Sequence, residues 1–440
     1  MRRVSIALLF IFAGMAAAHA ASEPQILWGV SDSGLEFGRG VIAERNYSVP
    51  DPRYYLAHGV GLIRIPFQIG RIQPTARGPL APDIVSDLEK IIDEDHAAGA
   101  ITVLDPHGYG FYNIDGKPHD ILTDPAAAAD YVDLMRRIAV TFGHDDVAIG
   151  LMNEPHAGDD ADYGKIWNQA IAAIRQAGFR GVILVPHAHW SSAADITPRT
   201  PFSGNIVDPD HNWVLELHSY LDPDDTGTYR KPVGSSTIGA ERLARAIAWS
   251  RQSGVRLFLG ETGAPPDEAG LAAFRTMLAE ISSAPDAFWG VAVWGAGAWW
   301  KPDYPMRLDP IAGVARPQFV ALENVMTPEI LYFAKASGGP DIPVSIDIDG
   351  KKIGPAVMIT AARSGPPQAV PVRLPLSPGL HVVHVQPAAT AGGNTLYLVD
   401  STWKGASDSG DSFGVVRRAG YSFRVEVPAS QPKDLHHSGQ

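Results

Sequence analysis

Two glutamates stand directly behind apolar runs of this 440-residue chain, where a charged side chain is unusual. Glu154 follows the run in GLMNEPHAG, and Glu261 follows the run in LFLGETG. Two carboxylates are suited to general acid–base and nucleophilic chemistry, because one can donate a proton while the other attacks or activates water. The two must differ in protonation at the start, and a nearby cation would keep one of them ionised. Arg64, at the end of another apolar run, is a candidate for that cation.

The elements that carry these residues are short apolar runs that alternate with helical patterns between residue 26 and about residue 330. Their hydrophobicity is continuous, which is typical of strands covered on both faces. Eight such strand–helix units predict a (β/α)₈ TIM barrel, for which about 250 residues is usual. No G-x-G-x-x-G turn follows the first run, as an open dinucleotide-binding sheet would require. The runs are ILWGV (26–30), GLIRIPF (61–67), ITVLDPHG (101–108), VAIGLMNEP (147–155), VILVPHAH (182–189), VLELHSY (214–220), LFLGETG (257–263) and WGVAVWG (289–295).

Two of the helical segments show clear end signals. In 83–99 apolar residues recur at helical spacing and Gly99 closes the segment, whereas 124–143 opens with Asp124 as a cap and Pro125 at the first helical position.

Polar residues at the ends of the runs would meet at one cleft, because the active site of such a barrel lies at the C-terminal ends of its strands. Two carboxylates across a cleft are the arrangement that cleaves glycosidic bonds. With Arg64 beside it, Glu261 would be the ionised nucleophile, and Glu154 the protonated acid. The polar strand-end residues are Arg64, His107, Asn153, Glu154, His187, His189, His218, Tyr220, Glu261 and Trp294.

A family resemblance rests on ordered motifs: RIPF, DPHGYGFYN, NEP, LHSY, GETG and VAVWGAGAWW resemble those of glycoside hydrolase family 5, and GVSDSGLEFG looks like the start of its cellulase branch. The resemblance covers residues 26 to about 325. It implies a retaining endo-β-1,4-glucanase with Glu154 as acid/base and Glu261 as nucleophile. It further implies Arg64 and Tyr220 around the nucleophile, Asn153 at the sugar 2-hydroxyl, and His107, His218 and Trp294 in the site of the cleaved sugar.

Gln68 departs from that family pattern, since many cellulases of this branch carry a tryptophan near this position to stack glucose. Other aromatic rings offer stacking surfaces for the apolar face of a sugar. We predict that the cleft uses Trp28, Tyr109, Trp190 and Trp300 in this way.

Other functions remain open at this point. The same scaffold could act on mannan, xyloglucan or a mixed-linkage glucan by loop changes at the cleft rim. The histidines at 58, 107, 187, 189 and 218 could make a metal-dependent hydrolase, and a carbohydrate-binding protein without activity is a third alternative. The carboxylate pair favours glycosidase chemistry, for which we expect no metal and no cofactor.

The N-terminus predicts export. Residues 1–20 combine two arginines, an apolar core and the ending Ala-His-Ala, which together are typical of a secretory signal peptide cleaved after Ala20. The expected protein is secreted or periplasmic, without disulfides because the chain has no cysteine, and without a membrane anchor after cleavage. A net charge of −12 disfavours nucleic acid as a partner, and the oligomeric state is open.

Beyond residue 335 the pattern changes. The domains predicted are a catalytic barrel at 21–334, a linker at 335–340, a small all-β sandwich at 341–428 and a flexible tail at 429–440. Alternating apolar residues and an Asp349-Gly350 hairpin turn favour the sandwich. This region faintly resembles calcium-dependent xylan-binding modules, but GGN (392–394) replaces their acidic step, so no calcium ligands are assigned.

Overall fold

A computed structural model gives the fold. It describes residues 26–38, 47–114, 116–144, 146–196, 206–326, 329–335, 342–352, 357–359, 370–374, 379–387, 396–401, 414–416 and 421–427. The predicted signal peptide and C-terminal tail lie outside the described residues, as does the predicted linker apart from Lys335.

Eight parallel strands close into a barrel. Each strand pairs with the barrel strands that precede and follow it along the chain, and the eighth strand pairs with the first. The predicted (β/α)₈ barrel is therefore confirmed, with a strand that overlaps each of the eight apolar runs. The strands are β1 (Leu27–Asp32), β2 (Leu62–Phe67), β3 (Ile101–Pro106), β4 (Val147–Gly150), β5 (Ile183–Pro186), β6 (Trp213–His218), β7 (Leu257–Glu261) and β8 (Phe288–Ala296).

Successive residues of a strand alternate between the barrel interior and the surrounding helices. In β2, Leu62 belongs to the apolar cluster inside the barrel, whereas Ile63 belongs to the larger core shared with the helices. Arg64 then returns to the interior, two residues nearer the C-terminal end. The interior of the barrel is thus apolar toward the N-terminal ends of the strands and polar toward their C-terminal ends. The apolar cluster consists of Leu62, Val103, Ala148, Leu184, Val214, Phe258, Trp289 and Ala292.

Helices follow most of the barrel strands, and their ends obey the signals in the sequence. Gly99 ends the helix Pro82–Ala98 with a φ of 75°, which suits a residue without Cβ. The Asp124 side chain accepts from the backbone N–H groups of Ala126 and Ala127 and begins the helix Pro125–Phe142. Both predicted helices are confirmed. The helical segments are Arg53–Ala57, Ile69–Ile72, Pro82–Ala98, Pro125–Phe142, Asp160–Gln176, Ala193–Asp195 (3₁₀), Ile238–Ser253, Glu268–Ser282 and Pro317–Met326.

A short hairpin, absent from the predicted elements, lies between β3 and the helix that follows. Its strands are Phe111–Ile114 and Lys117–Asp120, and Gly116 takes a φ of 75° in the turn. The Asp-Gly pair at 115–116 is a hairpin signal. The strands are only four residues long, which is too short for alternation alone to reveal them.

The described strands of the C-terminal region form two antiparallel sheets, one of them with the predicted hairpin turn at Asp349 and Gly350. The predicted boundary at residue 335 is wrong. Glu329–Lys335 pairs with Val370–Leu374 and Leu396–Ser401, so the β region begins before the predicted linker. Packing of the two sheets as a sandwich stays a prediction. The other strands are Ile342–Ile348, Lys351–Lys352, Val357–Ile359, Gly379–Pro387, Gly414–Val416 and Tyr421–Val427.

In the part of the chain that the structure describes, helices long and apolar enough to cross a membrane do not occur.

Candidate active site

Arg64 is the fully buried centre of a polar network at the C-terminal ends of the strands. Its guanidinium donates to Glu261 Oε1 at 3.0 Å and to Asn153 Oδ1 at 2.8 Å. The same group also lies 3.1 Å from Asp105 Oδ2 and 3.3 Å from Glu216 Oε1. Burial disfavours the cation, but the surrounding carboxylates raise the pKa of Arg64 above its usual value. The site therefore contains a permanent positive charge.

Glu261, at the end of β7, receives donors on both carboxylate oxygens. Arg64 occupies Oε1, and the Tyr220 hydroxyl donates to Oε2 at 2.6 Å. Burial and the nearby Glu261 charge raise the pKa of Tyr220 well above its usual value, so its hydroxyl keeps the proton that it donates. These contacts orient Glu261 as an anion with its carboxylate facing the cleft.

Glu154 lies just beyond β4 and is more open to solvent, with its side chain 17% exposed. Its backbone has a φ of 43°, a left-handed conformation that is uncommon for glutamate and that turns the chain at the strand end. An oxygen of Glu154 and an oxygen of Glu261 lie within 4.8 Å of each other. The structure thus brings together the two carboxylates that are 107 positions apart in the sequence.

His218 lies between these two carboxylates. Its Nδ1 is 2.9 Å from Glu154 Oε1 and 3.6 Å from Glu261 Oε2. Burial lowers its basicity, but the surrounding glutamates outweigh this and raise the pKa of His218 to about 10. The imidazole is therefore in contact with both predicted catalytic groups.

His107 and Asn153 continue the network toward the cleft. His107 Nδ1 is 2.8 Å from Asp105 Oδ2, and its Nε2 is 3.2 Å from Asn153 Nδ2. Burial opposes protonation of His107, but Asp105 raises its pKa overall. Tyr109 places its hydroxyl 3.0 Å from His107 Nε2. Contacts of this kind join Arg64, His107, Asn153, Glu154, His218, Tyr220 and Glu261 into one network, to which His187 and His189 do not belong among the described contacts.

Trp294 forms an aromatic wall with neighbours from the loop after β8. Its ring lies 6.1 Å from that of His107 at an angle of 21°, and 5.7 Å from that of Trp300. Trp300 in turn stacks on Tyr304 at 3.9 Å. The structure therefore joins the predicted residue Trp300 to the cleft through Trp294.

Trp190 and Tyr109 form the opposite rim. Trp190 is 50% exposed and Tyr109 is 37% exposed, with their rings 6.1 Å apart. Trp190 stacks on His156 at 3.8 Å, and it lies in a run of three residues with positive φ, from His189 to Ser191. Such a turn presents the indole outward, which suits a sugar-stacking surface.

Trp28 is a wrong prediction. It lies near the N-terminal end of β1 and packs against the core shared with the helices, as its neighbour Val30 does. Only alternate residues face the interior, and Ser31 is the one whose hydroxyl lies 3.4 Å from Arg64. Trp28 is therefore on the outer face of the strand and distant from the cleft.

The histidines considered as metal ligands serve different contacts. His187 is buried against Asp160 at 2.9 Å, and His58 bonds Glu323 at 2.7 Å. Among the described residues, the group that could hold a metal is Glu154, His218 and Glu261. Hydrogen bonds within this group already account for its arrangement.

Asp105 and Glu216 belong to the site but were not predicted from the sequence. Each is an acidic residue inside an apolar run, two positions before a predicted site histidine, in DPH and ELH. The two-residue spacing places both members of each pair on the same face of the strand. This two-residue spacing from a site histidine is the signal in the sequence that could have identified Asp105 and Glu216.

The chain is similar to known endo-beta-1,4-glucanases. Endo-beta-1,4-glucanase A of Emericella nidulans is 29% identical over 321 residues, which cover 71% of this chain and 95% of that protein. The crystal structure of an endo-beta-1,4-glucanase from Xanthomonas axonopodis pv. citri is 32% identical, with a TM-score of 0.63, covering 68% of this chain and 99% of the other. XacCel5A, solved in complex with cellopentaose, is 31% identical with the same TM-score and the same coverage.

The family model for cellulases matches residues 53–295, which contain both glutamates, Arg64, His218 and Tyr220. This match covers more than half of the chain and extends from before β2 to residue 295 in β8. The chain belongs to the cellulase family, glycosyl hydrolase family 5.

Proposed function

We propose that this protein is a retaining endo-β-1,4-glucanase, with Glu261 as nucleophile and Glu154 as acid/base. The observation that carries the proposal is the carboxylate pair within 4.8 Å, with His218 between its members. In retaining glycosidases the two carboxyl groups are about 5–5.5 Å apart, because the nucleophile must reach the sugar directly. The similar endo-beta-1,4-glucanases and the cellopentaose complex support a β-glucan substrate.

In the first step, the Glu261 carboxylate attacks the anomeric carbon while the Glu154 carboxyl group protonates the leaving oxygen. The bond from the anomeric carbon to that oxygen breaks, and an ester to Glu261 forms. Arg64 and Tyr220 hold the attacking carboxylate in place. Asn153, fixed by Arg64 at 2.8 Å, would donate its amide N–H to the 2-hydroxyl of the sugar.

In the second step, water attacks the anomeric carbon from the side that the leaving group has vacated. Glu154, now a carboxylate, takes the proton from this water, and the ester to Glu261 breaks. Two inversions give net retention of the β-configuration. Each group returns to its starting protonation state, so the cycle balances in atoms and charge.

Aromatic residues at the two rims would hold the chain of sugars across the cleft. Trp294 and Trp300 line one side, and Tyr109 and Trp190 line the other. Planar rings pack on the apolar faces of glucose units, which differ from mannose only in the orientation of one hydroxyl. A mannan, xyloglucan or mixed-linkage glucan therefore remains a second class of substrate for the test below.

The substrate is tested by measuring reducing-sugar release from carboxymethylcellulose, mixed-linkage β-glucan, mannan, xyloglucan and xylan. We expect the highest kcat/KM on a β-1,4-glucan, because the relatives are glucanases and the cleft presents flat aromatic rims. Binding without release of reducing ends from any of these polymers would contradict the enzyme assignment. Unchanged activity after exhaustive EDTA treatment would exclude the metal-dependent alternative.

The two glutamates are tested by amide substitution. Glu261→Gln should lower kcat by at least about 1000-fold, because an amide cannot form the ester. Glu154→Gln should lower kcat/KM on glucan by at least about 100-fold, but should lower kcat/KM much less on an aryl cellobioside, because its leaving group needs no proton in the first step.

Glu89→Gln, an exposed helical site, is the matched control and should leave kcat unchanged. Proton NMR of the first products should show the β-anomer. Early appearance of the α-anomer would contradict the proposed roles.

The rim is tested with Trp190→Ala. Loss of the exposed indole should raise KM for cello-oligosaccharides about 2- to 10-fold with little change in kcat, because stacking contributes about 0.5–1.5 kcal/mol. Trp28→Leu is the contrasting variant. It should leave KM unchanged even where it lowers thermal stability, since Trp28 packs against the core on the outer face of the barrel. Equal effects of the two substitutions on KM would contradict this assignment.

We also propose export to the periplasm or the medium, supported by the signal-peptide pattern of residues 1–20. Expression of the full chain in a secreting host should give a product that begins at Ala21, as measured by intact mass. A product that keeps residues 1–20 and stays in the cytoplasm would contradict the proposal.

A further inference from the structure

Glu216 is a buried carboxylate that the double-displacement steps do not use. It lies on β6, two residues before His218, so both side chains face the barrel interior. Its side chain is 2% exposed. Burying a carboxylate away from water is costly unless a cation lies against it. Burial of the Glu216 carboxylate therefore requires a neighbouring cation and indicates a functional role.

Gly260, on the adjacent strand, makes room for this side chain. A Cβ atom added at Gly260 of β7 would clash with Glu216 Oε1 and would lie 3.1 Å from His218 Nε2. A Cβ added at Gly150 of β4 would lie 3.8 Å from Glu216 Oε2. The space beneath His218 thus depends on the missing side chain at position 260.

Two basic side chains contact Glu216. Its Oε1 is 3.3 Å from Arg64 Nη2 and 3.6 Å from His218 Nε2. Within the described part of the chain, neither oxygen of Glu216 nor Nε2 of His218 has a hydrogen-bond partner. Because Nδ1 of His218 already faces Glu154, the Nε2 side of the ring is left to Glu216. A ring with a carboxylate on each side is most stable with both nitrogens protonated.

We propose that Glu216 is a positioning residue that keeps His218 as an imidazolium, so that one fixed cation serves both catalytic glutamates. This inference rests on the function proposed above. A buried imidazole without anionic partners would lose its proton, because burial disfavours the charged form. Glu216 supplies an anion that takes no part in bond making and is present throughout the cycle.

A cation at this position can stabilise the negative charge at both stages of the catalytic cycle. Before the first step the negative charge is on Glu261, and in the ester intermediate it is on Glu154. His218 Nδ1 lies 3.6 Å from the first carboxylate and 2.9 Å from the second. A permanent charge in contact with both stabilises each state without moving. A neutral imidazole would offer the same hydrogen bond with a weaker field.

Burial lowers the pKa of His218, but Glu261, Glu154 and Glu216 outweigh burial and raise this pKa to about 10, in agreement with the arrangement. Below the ordinary value of 6.5 the proton is bound in folded and unfolded chains alike, so the full stabilisation is present. It is lost as the pH rises from 6.5 toward 10. The charged groups that act on His218 from the surrounding strands and loops are Asp105, Glu154, Glu216 and Glu261, and Arg64 and Tyr220 contact the same carboxylates.

The test measures the charge of His218 directly. The full chain, labelled with ¹⁵N in histidine, is titrated by NMR from pH 5 to 8, with His218→Asn used to assign the ring signals. In the wild type we expect both ring nitrogens to stay protonated over this range. In Glu216→Gln the ring should titrate at lower pH, and kcat should fall at least about tenfold while KM changes less than about threefold. Glu89→Gln should reproduce the wild type.

A neutral His218 at pH 7 in active wild-type enzyme would overturn the inference and leave the proposed function intact. A Glu216→Gln variant that keeps both kcat and the His218 titration unchanged would overturn it as well. If that variant does not fold, the wild-type titration decides alone. Wild-type protein without activity on any β-glucan would instead contradict the function, and the two failures are therefore distinct.

Discussion

The buried guanidinium of Arg64 is the constraint on which the rest of the site depends. A buried cation must be surrounded by hydrogen-bond acceptors and negative charges. Asn153 and Glu261 accept its hydrogen bonds, and the carboxylates of Asp105 and Glu216 lie within 3.3 Å of it, all in or just beyond strands other than its own. These contacts fix the carboxylate of Glu261 and the amide of Asn153 at once. The orientation of the nucleophile and that of the group predicted to hold the sugar are therefore consequences of the same buried charge.

The layered interior of the barrel allows this charge to be buried. Apolar residues fill the lower interior of the barrel. Strands β2 to β8 each contribute one or two buried residues, and β1 contributes one residue that is only partly buried. Polar residues occupy the layer above, where the strands end and loops begin. An arginine one layer lower would have no acceptors, and one layer higher would be hydrated and mobile. The apolar floor thus confines the polar network to the mouth of the barrel, which is where a polysaccharide can reach it.

Much of this could be predicted from residues alone. The continuous apolar runs predicted eight strands, and the carboxylates behind two of them predicted the catalytic pair, because strand ends of a barrel meet at one cleft. Trp28 shows the limit. Its ring was a plausible sugar-stacking surface, but the face of a strand and its height along the barrel are set by pairing register, which composition does not reveal. The early start of the C-terminal β region at Glu329 was missed for the same reason, since only its partners identify that strand.

The sequence by itself determined the fold class, the order of the strands and the chemical type of the site, because hydrophobic periodicity and residue type are local properties. The tertiary structure decided which side chains touch. It alone placed Glu216 beneath His218, in space left by Gly260, and it alone set His218 between Glu154 and Glu261. Charge states in such a cluster depend on distances of a few ångströms between residues on different strands, and those distances exist only after the barrel closes.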